Sequence, residues 1–507
     1  MDFSEQIEYQ KKTCMITLGH LFDKYQDEEY MLSKLNNYIL IQLPKLMENH
    51  KISQQEKQAK KTEVNNEKLT FQSKFLTDNR FYYLTSTETF FHYDGQNYTT
   101  YNEDDICHKV FTQITKERKL MAYKEKVKNS IIRKIKKSSL FKTIPESKTI
   151  QDTLNMFYPT LFNSKDKAKY FLTILGDNLL KIESQLVHLI SPKAKQFLKE
   201  ITHFSYLYTS INPTSTFKYK YHDQDYASIR LLDINMSVDT STNWLFVKQQ
   251  IINIISVACY YSNRYNKSDN FIESHCDYSL SNHTLFLKNN TSRDIVKLFC
   301  SYYIENCTET NINFENSNYN IPWKHMVYLW KSFLEEKNFP NIIFNQNLKI
   351  LLCEKYEFDE KLDQFTGVTS KYLPRISTFM QFWNSEIIKS DDEELEIGEI
   401  NTLFKQWTTN HLKSKSNNNY CNDQQVLDII RFYSPDTEIT EDKYLMNVSC
   451  KLWDKNNDVV AFLTCYKEGS SNHSVHTAYE SYVKSQPIIV ASKRYFMEKF
   501  LLLINCE

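Results

Sequence analysis

The stretch WKHMVYLWKSFL, residues 323–334, sets Trp323, Met326, Val327, Trp330, Phe333 and Leu334 at i, i+3, i+4, i+7, i+10 and i+11, which is one face of a helix. After a break at Asn338 to Pro340, Phe344, Leu348, Leu351 and Leu352 mark a second helix. Two further stretches repeat the pattern. EIGEINTLFKQW carries Ile400, Leu403, Phe404 and Trp407 on one face, and DQQVLDIIRFY follows, with Asp423 placed to cap and Val426, Ile430 and Tyr433 as its stripe. The third copy is VHTAYESYV, a turn at Pro487, and SKRYFMEKFLLL with Ser492 placed to cap. Paired amphipathic helices are either neighbours in a bundle or the two arms of a helix-turn-helix.

Alternating residues after the first two pairs favour the second choice. Tyr356 and Phe358 alternate, residues Asp359 to Asp363 make a turn, and Phe365, Gly367 and Thr369 alternate again, which is a hairpin pattern. After the second pair Val448, Cys450 and Leu452 alternate, DKNND turns, and Val459 to Tyr466 returns as a strand or begins a helix. A helix pair followed by a hairpin is the sequence form of a winged helix. The expectation is therefore winged-helix-like units at 316–390 and 391–466 and a helix-turn-helix-like unit at 467–507.

Working outward, residues 1–47 predict two helices, with Met15, Leu18, Phe22 and Tyr25, then Met31, Leu35, Tyr38, Ile39 and Leu43. The polar run 48–69 reads as a solvated linker. FYYLTSTETFFHYDGQNYTTY reads as an antiparallel meander turning at Asp94-Gly95, followed by a helix from Glu103. Residues Lys116 to Lys142 hold eleven basic residues against two acidic ones, beside an apolar stripe of Met121, Val127, Ile131, Ile132 and Ile135. That pattern predicts a basic amphipathic helix closing a domain at 70–145. It is either a solvated face or a phosphate-contacting one. A mixed middle domain, 146–315, contains strand character from Thr216 to Ile234 and an apolar helix from Phe246 to Tyr261. The whole reads as α+β and mostly helical, with a small N-terminal antiparallel meander.

Composition narrows the chemistry. The 507 residues balance 62 Lys and Arg against 62 Asp and Glu, so an argument for nucleic acid must be local. Eleven scattered cysteines without a CxxC pair point to reduced thiols and an intracellular setting. No run approaches the ~18 apolar residues of a membrane span. Six glycines are few, and none is followed by Lys, so a GxxxxGK[ST] phosphate loop is missing.

Two stretches resemble known proteins. Residues 81–110, FYYLTSTETFFHYDGQNYTTYNEDDICHKV, resemble the module preceding the helicase domain in poxvirus-type primase-helicases of nucleocytoplasmic large DNA viruses, and residues 478–500, AYESYVKSQPIIVASKRYFMEKF, resemble the helix-turn-helix ending them. The resemblance implies a viral replication or transcription accessory acting in the host cytoplasm, viral factory or nucleus, or packaged in the virion. The intervening residues would then be a degenerate helicase-like core, for which a five-stranded nucleotide-binding sheet in 146–315 would be the sign. The nearest counterpart of a phosphate loop, Thr173-Ile174-Leu175-Gly176-Asp177-Asn178, has one glycine and an Asp where phosphate would sit.

Other chemistry is sparse. His222-Asp223-Gln224-Asp225 could hold a metal on a strand but reads as a polar loop, and His275, Cys276, His283, Cys300 and Cys307 have irregular spacing for zinc. No catalytic residue, cofactor or metal is expected. The expected function is non-enzymatic binding of nucleic acid, DNA rather than RNA, through Lys124, Lys128, Arg133, Lys134, Lys136 and Lys137 of the basic helix, Lys371 and Arg375 after the first hairpin, and Lys493 and Arg494 in the last helix. Viral replication or transcription proteins are the expected protein partners. The alternatives are a helicase-like ATPase with an atypical phosphate loop and a protein-interaction or virion scaffold.

Overall fold

A computed structural model describes residues 3–182, 185–235, 244–306, 320–411, 421–469, 474–486 and 489–504. Those residues are mostly helical with five small separate sheets among them, an α+β architecture. The chain divides into two compact units, and the segment 146–315 does not form one domain: residues 185–192 and 217–233 belong with the C-terminal half.

The first unit begins with α1 (Phe3–Lys24), α2 (Glu29–Asn37), a π-helical turn (Tyr38–Gln42) and α3 (Leu43–Asp78). The expected linker at 48–69 is thus the middle of a long helix. Its polarity suggests a solvated linker, yet Gln, Glu, Lys and Ala are good helix formers, and polarity reports only that α3 buries nothing except Gln72 and Phe75 at its end. The meander forms as expected, β1 (Arg80–Leu84), β2 (Thr89–Tyr93) and β3 (Tyr98–Tyr101) pairing antiparallel in that order. Gly95 turns it at φ +101°, a region that favours glycine, and Asp94 accepts the backbone N–H groups of Gln96 and Asn97. Helices α4 (Glu103–Ile114) and α5 (Lys124–Ile135) then close one core with Phe75, Phe81, Tyr83 and Phe90.

Helices α6 (Ser147–Phe157), α7 (Lys165–Leu179), α8 (Lys195–Thr209), α9 (Trp244–Tyr265) and α10 (Ser268–Ser274) complete this unit. The apolar run at 246–261 is its buried axis, as its composition predicts. Gly176 lets α7 approach α9: a Cβ there would lie 2.1 Å from the Ala258 carbonyl oxygen.

The second unit opens with three short parallel strands, β4 (Val187–Ile190), β5 (Phe217–Lys218) and β6 (Ile229–Leu232), in the order β5-β4-β6. Among the described residues of 146–315 these, rather than a five-stranded sheet, are the strands, apart from the two-residue β7. Then come α11 (Tyr278–Thr284), α12 (Phe286–Asn289) and α13 (Ser292–Tyr303), the last fixed by a capping box between Thr291 and Asp294.

From here one element order occurs twice. After α13 and β7 (Glu305–Asn306) come β8 (Asn320–Pro322), α14 (Trp323–Glu336), α15 (Asn345–Cys353), β9 (Phe358–Asp359) and β10 (Gln364–Thr366), with sheet order β8-β10-β9. Strand β11 (Val368–Thr369) pairs with β7. Next come α16 (Leu373–Glu386), β12 (Ile387–Glu396), α17 (Ile397–His411), α18 (Asp423–Tyr433), β13 (Ile439–Thr440) and β14 (Tyr444–Cys450), with order β12-β14-β13. The first hairpin falls where the alternation predicts. The second lies earlier than expected: Glu441 and Asp442, both at φ +54°, make its turn, and DKNND instead leads into α19 (Lys455–Gly469). Asn422, one residue before the expected Asp423, caps α18 in a box with Gln425. The third copy is α20 (Val475–Ser485) and α21 (Lys493–Ile504); Ser492 accepts from the Tyr495 amide, while the turn expected at Pro487 lies outside the described residues.

Candidate nucleic-acid interface

The sequence KEKVKNSIIRKI makes α5 two-sided. Val127, Ile131, Ile132 and Ile135 are buried against Ile106, Val110 and Ile114 of α4 and Phe75 of α3. Lys126, Arg133 and Lys134 are exposed on α5 away from that core, and Lys137, in the turn just after the helix, is exposed as well. None of these four forms an ion pair among the described residues. Arg133 and Lys134 lie in the last helical turn, where the helix dipole favours cations.

Their neighbours are partly committed. Lys128 binds Glu125 at 2.8 Å and Lys136 binds Glu103 at 3.0 Å. The hydrogen bonds that the two ammonium groups donate to those carboxylates hold both above the ordinary lysine value. Both bridges are solvent-exposed and therefore weak, so phosphate can exchange for either carboxylate. Lys124 lies 5.9 Å from the Phe111 ring centroid. Lys126 was not among the expected contacts, although its i, i+7 relation to Arg133 is visible in the sequence. The single helix expected over 116–142 is instead a 3₁₀ turn (Arg118–Tyr123), α5 and a second 3₁₀ turn (Leu140–Lys142). Met121 consequently falls off the apolar stripe and is exposed, and Lys119 is held by Glu63 and Glu67 of α3.

The second unit uses its candidate cations differently. Arg494 faces Glu394 at 3.9 Å, Glu441 at 3.8 Å and Glu498 at 3.4 Å, and stacks 4.9 Å from the Tyr444 centroid. These acids, Glu394 first, raise its affinity for the proton and leave little field for a phosphate. Arg375 is half-buried in α16 with its Nε inaccessible to solvent. Lys371, 5.2 Å from the Tyr372 ring, and Lys493 are exposed. Neither second helix is basic. In α15 Lys349 pairs with Asp363 and lies 3.9 Å from the Phe358 centroid, while the first turn borders an apolar cavity of about 270 Å³ walled by Tyr221, Tyr226 and Phe344. In α18 the exposed side chains include Asp423 and Gln424, and Phe432 and Tyr433 pack on Tyr328 of α14.

The remaining sequence candidates have structural occupations. Thr173 to Asn178 lies within α7 up to its end, and Asp177 accepts from Ser262 Oγ and the Ser268 amide, a helix contact rather than a phosphate loop. His222 to Asp225 is a loop in which Gln224 accepts the His222 amide and Asp225 caps a 3₁₀ turn at Ala227. Among the described residues no three His, Cys, Asp or Glu side chains are grouped to hold a metal; Cys307 lies outside them. No helix among the described residues is long and apolar enough to cross a membrane.

No family model, curated protein or solved structure matches this chain. The reading of α5 therefore rests on its own geometry.

Proposed function

We propose that the protein is a non-enzymatic nucleic-acid-binding accessory that grips the phosphate backbone through the outer face of α5. The observation that carries this reading is the set Lys126, Arg133, Lys134 and Lys137: three exposed cations on α5 and one in the turn that follows it, without carboxylate partners among the described residues, beside a buried apolar stripe. Each cation placed at a phosphate releases condensed counterion. Four side chains spread along α5 and the turn after it suit a backbone, which repeats its charge, better than a single small anion. Duplex DNA is the preferred ligand, and the contact is to its phosphate backbone, which positions the protein without itself reading sequence.

The second unit supports a different role within the same protein. The order helix, strand, helix, helix, strand, strand, with the first strand beside the last, occurs twice, and we read each occurrence as a winged-helix unit. Their second helices are neutral or acidic outside and packed inside, which favours protein docking over groove reading. The resemblance of residues 81–110 and 478–500 to viral primase-helicases supports a place beside a replication or transcription assembly, with replication or transcription proteins as partners.

Fluorescence anisotropy of a labelled duplex tests the reading. Binding by the full chain at low salt, lost when Lys126, Arg133, Lys134 and Lys137 are changed to Gln, is expected; undetectable binding at low salt overturns it.

A further inference from the structure

The N-terminal arm half-buries Leu18, Leu21, Phe22, Met31, Leu32 and Leu35 but leaves many of its other apolar residues exposed. Residues 4–17 of α1 are exposed throughout, α2 buries no side chain, and α3 buries none before Gln72. At the centre of the arm, Tyr38, Leu40, Ile41, Leu43, Leu46 and Met47 are each between 51% and 71% exposed. They surround the helix instead of forming one stripe, since 40, 43 and 47 share a face and 41 and 46 lie on others. A helix that is apolar on all sides is stable only when it is covered on more than one side, and an uncovered patch of this kind marks an association surface.

Charge identifies the occupant. Before the apolar centre, residues 27–37 hold Asp27, Glu28 and Glu29 against Lys34 alone. After it, residues 45–61 hold Lys45, Lys51, Lys57, Lys60 and Lys61 against Glu48 and Glu56. An acidic half and a basic half flanking one apolar centre are complementary to each other in reverse order. We propose that this arm pairs antiparallel with the same arm of a second copy, forming a two-fold dimer centred near Leu43 and Lys45. A two-fold contact requires a self-complementary patch. A parallel arrangement would set lysines against lysines, and a foreign partner would not require the two halves to match each other. The pairing covers the apolar centre of each arm with that of its mate and sets each acidic end against a basic one. It stands independently of the role of α5.

Light scattering after size exclusion, on the full chain across a concentration series, tests the proposal. A concentration-dependent dimer is expected. Changing Lys57, Lys60 and Lys61 to Glu, all exposed and remote from the packed core, is expected to shift the species to monomer by placing acid against acid. Adding Asp27→Lys, Glu28→Lys and Glu29→Lys in the same chain is expected to restore the dimer. Leu40→Glu with Met47→Glu should also give monomer, and the charge exchange decides the matter if that variant fails to fold. A wild-type chain that remains monomeric at all concentrations overturns the proposal, as does a charge-exchanged chain that fails to recover the dimer.

Discussion

Helix α5 and the C-terminal unit place their cations under opposite conditions. On α5 and in the turn after it, Lys126, Arg133, Lys134 and Lys137 face water without carboxylate partners among the described residues. In the second unit Arg494 sits among three glutamates, Arg431 pairs with Asp442, Arg293 pairs with Glu354, and Lys455 is buried against Glu399. The Lys455 ammonium donates to Glu399 Oε2 at 2.8 Å and to the Glu394 carbonyl at 3.0 Å, while Glu399 also accepts the amides of Glu396 and Ser492. This network ties α17, α19 and the start of α21 together. An unpaired surface cation offers its field to a ligand, whereas one enclosed by carboxylates stabilises a fold. The balanced net charge of the whole chain conceals that division of labour.

The largest expected effect separates the two uses directly. Changing Lys126, Arg133, Lys134 and Lys137 to Glu should weaken duplex affinity on the order of a thousandfold near 0.1 M salt, at ~0.9 logarithmic unit per phosphate contact. Because no native pair is broken, the loss of stability should be limited to the unfavourable acids at the helix end, about 0.3–1 kcal/mol for each of positions 133 and 134. Lys455→Met should do the reverse. Leaving Glu399 buried without its cation should cost about 3–5 kcal/mol in chemical denaturation, with duplex affinity unchanged. Burial already raises the Glu399 carboxyl above its ordinary value despite Lys455, so Glu399→Gln in the same chain should recover most of the loss. If the double variant is no more stable than Lys455→Met, the pair is not the cause.

A pH profile sharpens the contrast further. Burial, with Lys324 adding to it, holds the His325 imidazole below its ordinary value where it meets Tyr433. The unfolded chain therefore binds the proton first, so this group's contribution is present above pH ~6.5 and is lost as pH falls through and below that value. His325→Gln should flatten the stability decline between pH 7 and 5 relative to wild type; parallel profiles would contradict the assignment. Smaller still, Arg494→Gln should lower stability by about 1 kcal/mol or less, and Lys371→Gln with Lys493→Gln should change duplex affinity less than about twofold. A tenfold affinity loss from the latter pair would transfer the interface to the second unit.

The features legible in the sequence were those set by neighbours in the chain. The alternating aromatics around Asp94-Gly95 gave the meander, and the spacing of Trp323 to Leu334 and of Ile400 to Trp407 gave α14 and α17. The same local signal identified the buried stripe of α5. Residues 48–69 were misread because an exposed helix needs no apolar period, only helix-forming residues. The second hairpin was displaced because Lys455 to Asp458 resembles a turn in composition while beginning α19. Arg494 could not be judged locally, since Glu394 and Glu441 are distant in sequence. Nor could Gly176, whose constraint is the Ala258 carbonyl of another helix. Burial and charge pairing between remote segments are what decide whether a basic residue is available.

The most direct measurement is the slope of log affinity against log salt for the full chain on duplex DNA, compared with the variant carrying Gln at Lys126, Arg133, Lys134 and Lys137. Four phosphate contacts at the α5 face predict a difference in slope of about 3.6, from ~0.9 per contact. Equal slopes for the two proteins would contradict the account.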